Sequence, residues 1–114
     1  MPEIASGADG AAPAAQRGTS PRLQVALDFN VLSRARRAAD EAVAGGADIL
    51  EVGTPLLKSE GLDAVRELRA AFPGVPLVAD TKTMDAGRAE MEMAAKAGAS
   101  FATVLGVASA STLR

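Results

Sequence analysis

The chain has no cysteine, no histidine, no tryptophan and no tyrosine, and only three phenylalanines among 114 residues. Without cysteine there is no disulfide framework, no thiol nucleophile and no thiolate metal ligand. Without histidine the commonest general base and the commonest metal ligand are missing too. Any chemistry must therefore run on carboxylates, lysine, arginine and hydroxyls. Charge of one sign is also lacking: 12 basic against 14 acidic side chains give a net charge of -2, too little to hold nucleic acid or an anionic membrane surface. No run approaches the roughly 18 consecutive apolar residues of a membrane span, and Met1-Pro2-Glu3 does not open a basic-then-apolar leader. The expected location is the cytoplasm, with no nucleic-acid or membrane partner.

What is present is a globular mixture, 48% hydrophobic and 23% charged, packed with Ala, Val and Leu. Residues 1 to 21 form an aperiodic Gly, Ala, Ser and Pro run with little large apolar surface, expected to be a flexible tail or a linker. From Leu23 the pattern is regular. LQVALDF reads as a buried strand closing at Asp28, and LSRARRAADEAVAGG as a helix with Leu32, Ala35, Ala39 and Val43 inward, stopped at Gly45-Gly46. ADILEVG is a second strand, ending at Glu51 and followed by a break at Gly53-Thr54-Pro55. Ser59 to Phe72 reads as a helix capped by Ser59, with Leu62, Val65 and Leu68 inward. VPLVAD is a third strand ending at Asp80, with TKTMD as its outgoing loop. Gly87 to Ala97 reads as a helix with Ala89, Met93, Ala94 and Ala97 inward and Gly98 as its cap. FATVLG is a fourth strand, and Ala108 to Arg114 starts another helix.

The order is βαβαβαβα, with apolar strands suited to a parallel sheet covered by helices. AVAGGADILEVG and AAKAGASFATVLG share a cadence that reflects recurring β/α architecture. Both a small doubly wound sheet and half of an eightfold barrel fit this pattern, and length does not choose between them.

Asp28, Glu51 and Asp80 fall at or near the C-terminal ends of three successive strands, where a parallel β/α fold gathers its loops into a pocket. The competing reading is helix capping or solvated charge. Asp80-Thr81-Lys82-Thr83-Met84-Asp85 is more informative. A carboxylate, ammonium, carboxylate row holds a proton-shuttling lysine charged and oriented, although it also suits a structural ion cluster. Glu51 and Asp80 are oxygen donors suited to Mg²⁺, with water and substrate filling other positions; zinc fits poorly, and two carboxylates do not identify magnesium by themselves. No P-loop or GxGxxG pattern supports nucleotide binding. Arg34, Arg36 and Arg37 read as a solvated helix face, and Met84, Met91 and Met93 as packing residues.

VALDF, EVGTPLLKSEG, VADTKTMDAG and TVLGVA closely resemble the 3-hexulose-6-phosphate synthase family, in the superfamily that includes orotidine-phosphate and 3-keto-gulonate-phosphate decarboxylases. The resemblance runs in order from about Leu23 to the last residue. DxKxxD marks the superfamily, while KTMDAG with EVGTPL favours the synthase branch. The resemblance implies a (β/α)₈ barrel, a homodimer, bound Mg²⁺, and condensation of formaldehyde with D-ribulose 5-phosphate through a Mg-stabilised enediolate. By motif position Glu51 and Asp80 would be metal ligands, Asp28 a substrate-hydroxyl contact, and Lys82 an electrostatic or proton-transfer group. Asp85 would reach the neighbouring subunit's site, and Thr54 would shape the substrate pocket.

All these motifs belong to the first four β/α units. The expectation is therefore an α/β fold, the N-terminal half of a (β/α)₈ TIM barrel over residues 22 to 114, with the fourth helix incomplete and little independent turnover. The alternatives are a 3-keto-L-gulonate-6-phosphate decarboxylase-like enzyme and a noncatalytic half-barrel that assembles with a separate C-terminal half-barrel chain.

Overall fold

The computed structural model describes residues 20–114; the tail expected over residues 1 to 21 lies outside them, apart from Ser20 and Pro21. The elements are β1 (Gln24–Leu27), α1 (Leu32–Ala44), β2 (Ile49–Val52), α2 (Thr54–Glu60), α3 (Asp63–Ala71), β3 (Leu77–Thr83), α4 (Gly87–Ala97), β4 (Phe101–Val104) and α5 (Ala110–Leu113). The sheet is parallel throughout and runs in the order β1-β2-β3-β4. A doubly wound sheet reverses its strand order at a switch point; this one does not. Four consecutive β/α units in one direction form half of a (β/α)₈ barrel.

Leu27, Leu50, Val52, Leu77 and Ala79 are buried in a single core with Ala35, Ala39, Leu56, Val65, Leu68 and Ala94 from the helices. The alternate strand positions form the other face, where Gln24, Ala26 and Phe101 are exposed. Helices thus cover one face and leave the other, the interior side of a barrel, open. Among the described residues no helix is long and apolar enough to cross a membrane.

The strands and the first helix lie where the apolar pattern places them, with Ala35 and Ala39 buried. Three details differ. The helix expected over Ser59–Phe72 is two helices, because Pro55 in the first turn starts α2 early and Gly61, at φ 68°, ends it. Ser59 is consequently no N-cap; it lies within α2 and its hydroxyl donates to the Asn30 carbonyl at 2.6 Å. Secondly, β3 continues through Thr81, Lys82 and Thr83, so only Met84-Asp85 and Ala86 form the connection to α4. Thirdly, α4 buries Gly87, Ala94 and Ala97, whereas Ala89 and Met93 face outward. Met84 and Met93 are each about half exposed and are not packing residues here. Arg34 and Arg37 are solvated as expected, but the Arg36 guanidinium lies 5.3 Å from the Phe72 ring centroid.

At the N-terminal ends of β3 and β4 one side chain ties the layers together. Arg69 Nε donates to the Gly98 carbonyl at 2.7 Å, Nη1 to the Val75 carbonyl at 2.8 Å, and Nη2 to Ser100 Oγ at 2.8 Å. Ser100 Oγ also accepts from the Leu77 amide at 3.1 Å. Gly98 is required twice: its φ is +109°, and a Cβ there would lie 2.6 Å from Arg69 Cγ. Charged hydrogen bonds of this kind are the strong ones. Arg69→Ala should therefore cost about 2–4 kcal/mol and Gly98→Ala about 1–3 kcal/mol, read as lower urea midpoints.

Candidate functional site

Parallel register decides which side chains meet on the open face. Ala26, Glu51 and Val78 are partners across β1, β2 and β3, and Val78 pairs with Phe101 of β4. Two residues further along the strands come Asp28, Gly53, Asp80 and Thr103, pointing the same way because side chains alternate. Glu51 thus sits one layer below Asp28 and Asp80, inside β2. Gly53 makes room for Asp28: a Cβ at Gly53 would fall 2.0 Å from Asp28 Oδ1.

The densest contacts surround Asp80 and Lys82. Lys82 Nζ forms an ion pair with Asp80 Oδ2 and donates to Thr54 Oγ1 at 2.9 Å. Thr54 Oγ1 donates onward to the Asp80 backbone carbonyl at 2.6 Å. The other carboxylate oxygen, Asp80 Oδ1, accepts from Thr103 Oγ1 at 2.6 Å. Glu51 Oε1 accepts from Gln24 Nε2 at 2.7 Å. Two of the three ammonium hydrogens of Lys82 are thereby used, and the third has no partner among the described residues.

This geometry follows from an irregularity in β3. Ala79 pairs with Ala102 and Thr83 with Val104, so β3 spends four steps where β4 spends two. Lys82 takes a left-handed φ of 46° to absorb the excess. Thr103 fills the gap in the ladder: its hydroxyl accepts from the Lys82 amide at 2.9 Å and its carbonyl accepts from Thr81 Oγ1 at 2.8 Å.

Electrostatics set the protonation states. Burial pushes the Asp80 carboxyl up, but hydrogen bonds from Lys82, Thr103 and Thr54 and the charge of Lys82 outweigh it, leaving Asp80 below its ordinary value of 3.8. For Lys82 the hydrogen bond to Asp80 is the main cause of an upward displacement from 10.5; partial desolvation opposes it, and the charges of Asp80, Glu51 and Asp28 reinforce it. Lys82 is a charged, oriented donor at neutral pH.

The structure therefore brings Thr54, Asp80 and Lys82 into contact, with Glu51 and Asp28 on the same face, near enough for their charges to act on Lys82. Asp85 stands apart, exposed in the connection after β3, and does not join the cluster within one chain. Gln24 and Thr103 escaped the sequence reading; each is the polar residue of a short strand on the same alternation as an acidic neighbour, which is the signal that would have found them. Glu51 and Asp80 give a hard, all-oxygen donor pair, and Mg²⁺ is commonly held by one or two carboxylates with water completing the shell. Among the described residues no group of three or more acidic side chains is gathered closely enough to hold a metal ion.

The displacements predict a pH signature. Asp80, lowered on folding, stabilises the protein above 3.8 and loses that contribution as pH falls through its folded value. Lys82, raised on folding, contributes fully below 10.5 and loses its contribution as pH rises through its folded value. Urea midpoints measured across pH should fall more steeply at both extremes for the wild type than for Lys82→Met.

Known proteins resemble this chain in sequence and in fold. Residues 21–114 match the model of the orotidine 5'-phosphate decarboxylase / HUMPS family. A 3-hexulose-6-phosphate synthase of Mycobacterium gastri is 46% identical over 92 residues, 81% of this chain and 44% of the relative. A probable 3-keto-L-gulonate-6-phosphate decarboxylase of Haemophilus influenzae is also 46% identical, over 81% of this chain and 40% of the relative. The crystal structure of 3-hexulose-6-phosphate synthase from Salmonella typhimurium superposes with a TM-score of 0.78 at 40% identity, over 82% of this chain and 44% of that one. The chain spans well under half the length of these relatives. With its half-barrel sheet, its strand-end carboxylates and Lys82 in that arrangement, the chain belongs to the orotidine 5'-phosphate decarboxylase / HUMPS family.

Proposed function

We propose that this chain carries the carboxylate and lysine part of a sugar-phosphate lyase site, and that the reaction is aldol condensation of formaldehyde with D-ribulose 5-phosphate. The observation that carries the reading is Lys82 Nζ, held between Asp80 and Thr54 on the face that also presents Glu51 and Asp28. Glu51 and Asp80 would hold Mg²⁺, which when bound supplies positive charge against the oxyanion developing on the sugar phosphate. Asp28 accepts a hydrogen bond from a sugar hydroxyl, and Thr54 shapes the pocket wall while steadying Lys82. Lys82, kept protonated by its acidic neighbours, gives electrostatic stabilisation at Nζ or passes its proton to substrate. Asp85, outside the cluster of its own chain, acts in the site of a second subunit of a homodimer.

KTMDAG across the end of β3 and EVGTPL across the end of β2 support the synthase over the decarboxylase. The H. influenzae relative supports decarboxylation of 3-keto-L-gulonate 6-phosphate equally in identity. Because the match covers only 44% of the M. gastri synthase and 40% of the H. influenzae relative, the remaining substrate contacts are assigned to a further half-barrel, and the present chain alone is expected to turn over little.

The test combines the purified chain with the complementary segment of the M. gastri synthase as a separate polypeptide. Formaldehyde-dependent loss of ribulose 5-phosphate in Mg²⁺ is expected, abolished by EDTA and lowered roughly 10²–10⁴-fold by Lys82→Ala. CO₂ release from 3-keto-L-gulonate 6-phosphate at the higher rate would select the decarboxylase. A folded complex inert in both assays would point to the noncatalytic assembly role.

A further inference from the structure

Thr83 is the one polar side chain that the described residues bury, at 1% exposure. Its hydroxyl donates to Glu90 Oε2, in the first turn of α4. Thr83 Oγ1 also lies 2.9 Å from Thr81 Oγ1, and Thr81 Oγ1 donates to the Thr103 carbonyl at 2.8 Å. A threonine hydroxyl has one proton. With the Thr83 proton committed to Glu90, Thr83 must accept from Thr81, which shares its own proton between Thr83 and Thr103. Glu90 therefore sets the direction of the whole chain of hydrogen bonds.

That chain grips the residues immediately before and after Lys82. A lysine at φ 46° is held against its preference and persists only where its flanks are over-determined. Thr83 is anchored to α4 through Glu90; Thr81 is anchored to β4 through Thr103. Glu90 is itself well placed, near the positive end of the α4 dipole, with its amide bonded to the Ala86 carbonyl at 3.0 Å. It also shares a cavity of about 260 Å³ with Thr54 and Asp80.

We propose that Glu90 is a positioning residue, which acts through Thr83 and Thr81 to hold the β3 bulge that aims the Lys82 amine at Asp80 and Thr54. The inference deepens the sugar-phosphate reading, which gives that amine its task.

The test is substrate-free. The Lys82 ammonium and Cα resonances are followed by NMR in the full chain, with Lys58 and Lys96 as internal references. In Glu90→Gln, whose amide oxygen still accepts from Thr83, the Lys82 signals should stay in place. In Glu90→Asp, too short to reach, and in Glu90→Leu they should shift and the ammonium signal should be lost to solvent exchange, with Lys58 and Lys96 unmoved. Unchanged Lys82 signals in folded Glu90→Asp would overturn the proposal, as would equal shifts at all three lysines. Should Glu90→Leu not fold, Glu90→Asp against Glu90→Gln decides. Since no substrate is used, failure here leaves the lyase reading standing, and an inert enzyme leaves this one standing.

Discussion

Everything at the open end of the sheet depends on how β3 and β4 fail to match. Four steps of one strand are set against two of the other, and the excess is taken up at a residue whose side chain is a cation. A regular ladder would have given Asp80 and Lys82 the same face but no reason to converge. The irregularity turns the backbone at Lys82, frees its amide for the Thr103 hydroxyl, and leaves the long side chain folded back over its own strand. Strain at a single residue is here offset by hydrogen bonds on both sides, as functional sites commonly require.

The same feature explains what could be read from the amino-acid order. Strands were legible because each is a short apolar run bounded by glycine, proline or charge, and the acidic residues were legible because they interrupt those runs at their ends. Asp28, Glu51, Asp80 and Lys82 fall together for that reason. The bulge was not legible. TKT is polar, so periodicity reads it as loop, and only pairing to β4 makes it strand. Thr103 and Gln24 were hidden inside short strands whose sequence reads as apolar. The early start of α2 was hidden because Gly53-Thr54-Pro55 reads as a break, whereas Pro55 sits in the first turn of a helix. The apolar stripe drawn on α4 included Met93, but the helix buries Gly87, Ala94 and Ala97 instead.

Two glycines show how little the residue type says without its surroundings. Gly98 is needed for its positive φ and for the stem of Arg69; Gly53 has ordinary extended dihedrals and is needed solely because the Asp28 carboxylate occupies the place of a side chain. One is a backbone requirement and the other a matter of volume beside a charge.

Arg69 and Lys82 mark opposite ends of one strand. The guanidinium gathers carbonyls at the start of β3, and the ammonium gathers oxygens at its finish, with Leu77, Val78 and Ala79 between them. The staple that binds the layers and the charged cluster thus sit at separate poles. On the proposed reading, substitutions at the Lys82 end would retune which oxygen-rich molecule is accepted while the Arg69 contacts at the other end keep the layers in register. Two relatives with different reactions and equal similarity to this chain are what such a division of labour makes accessible.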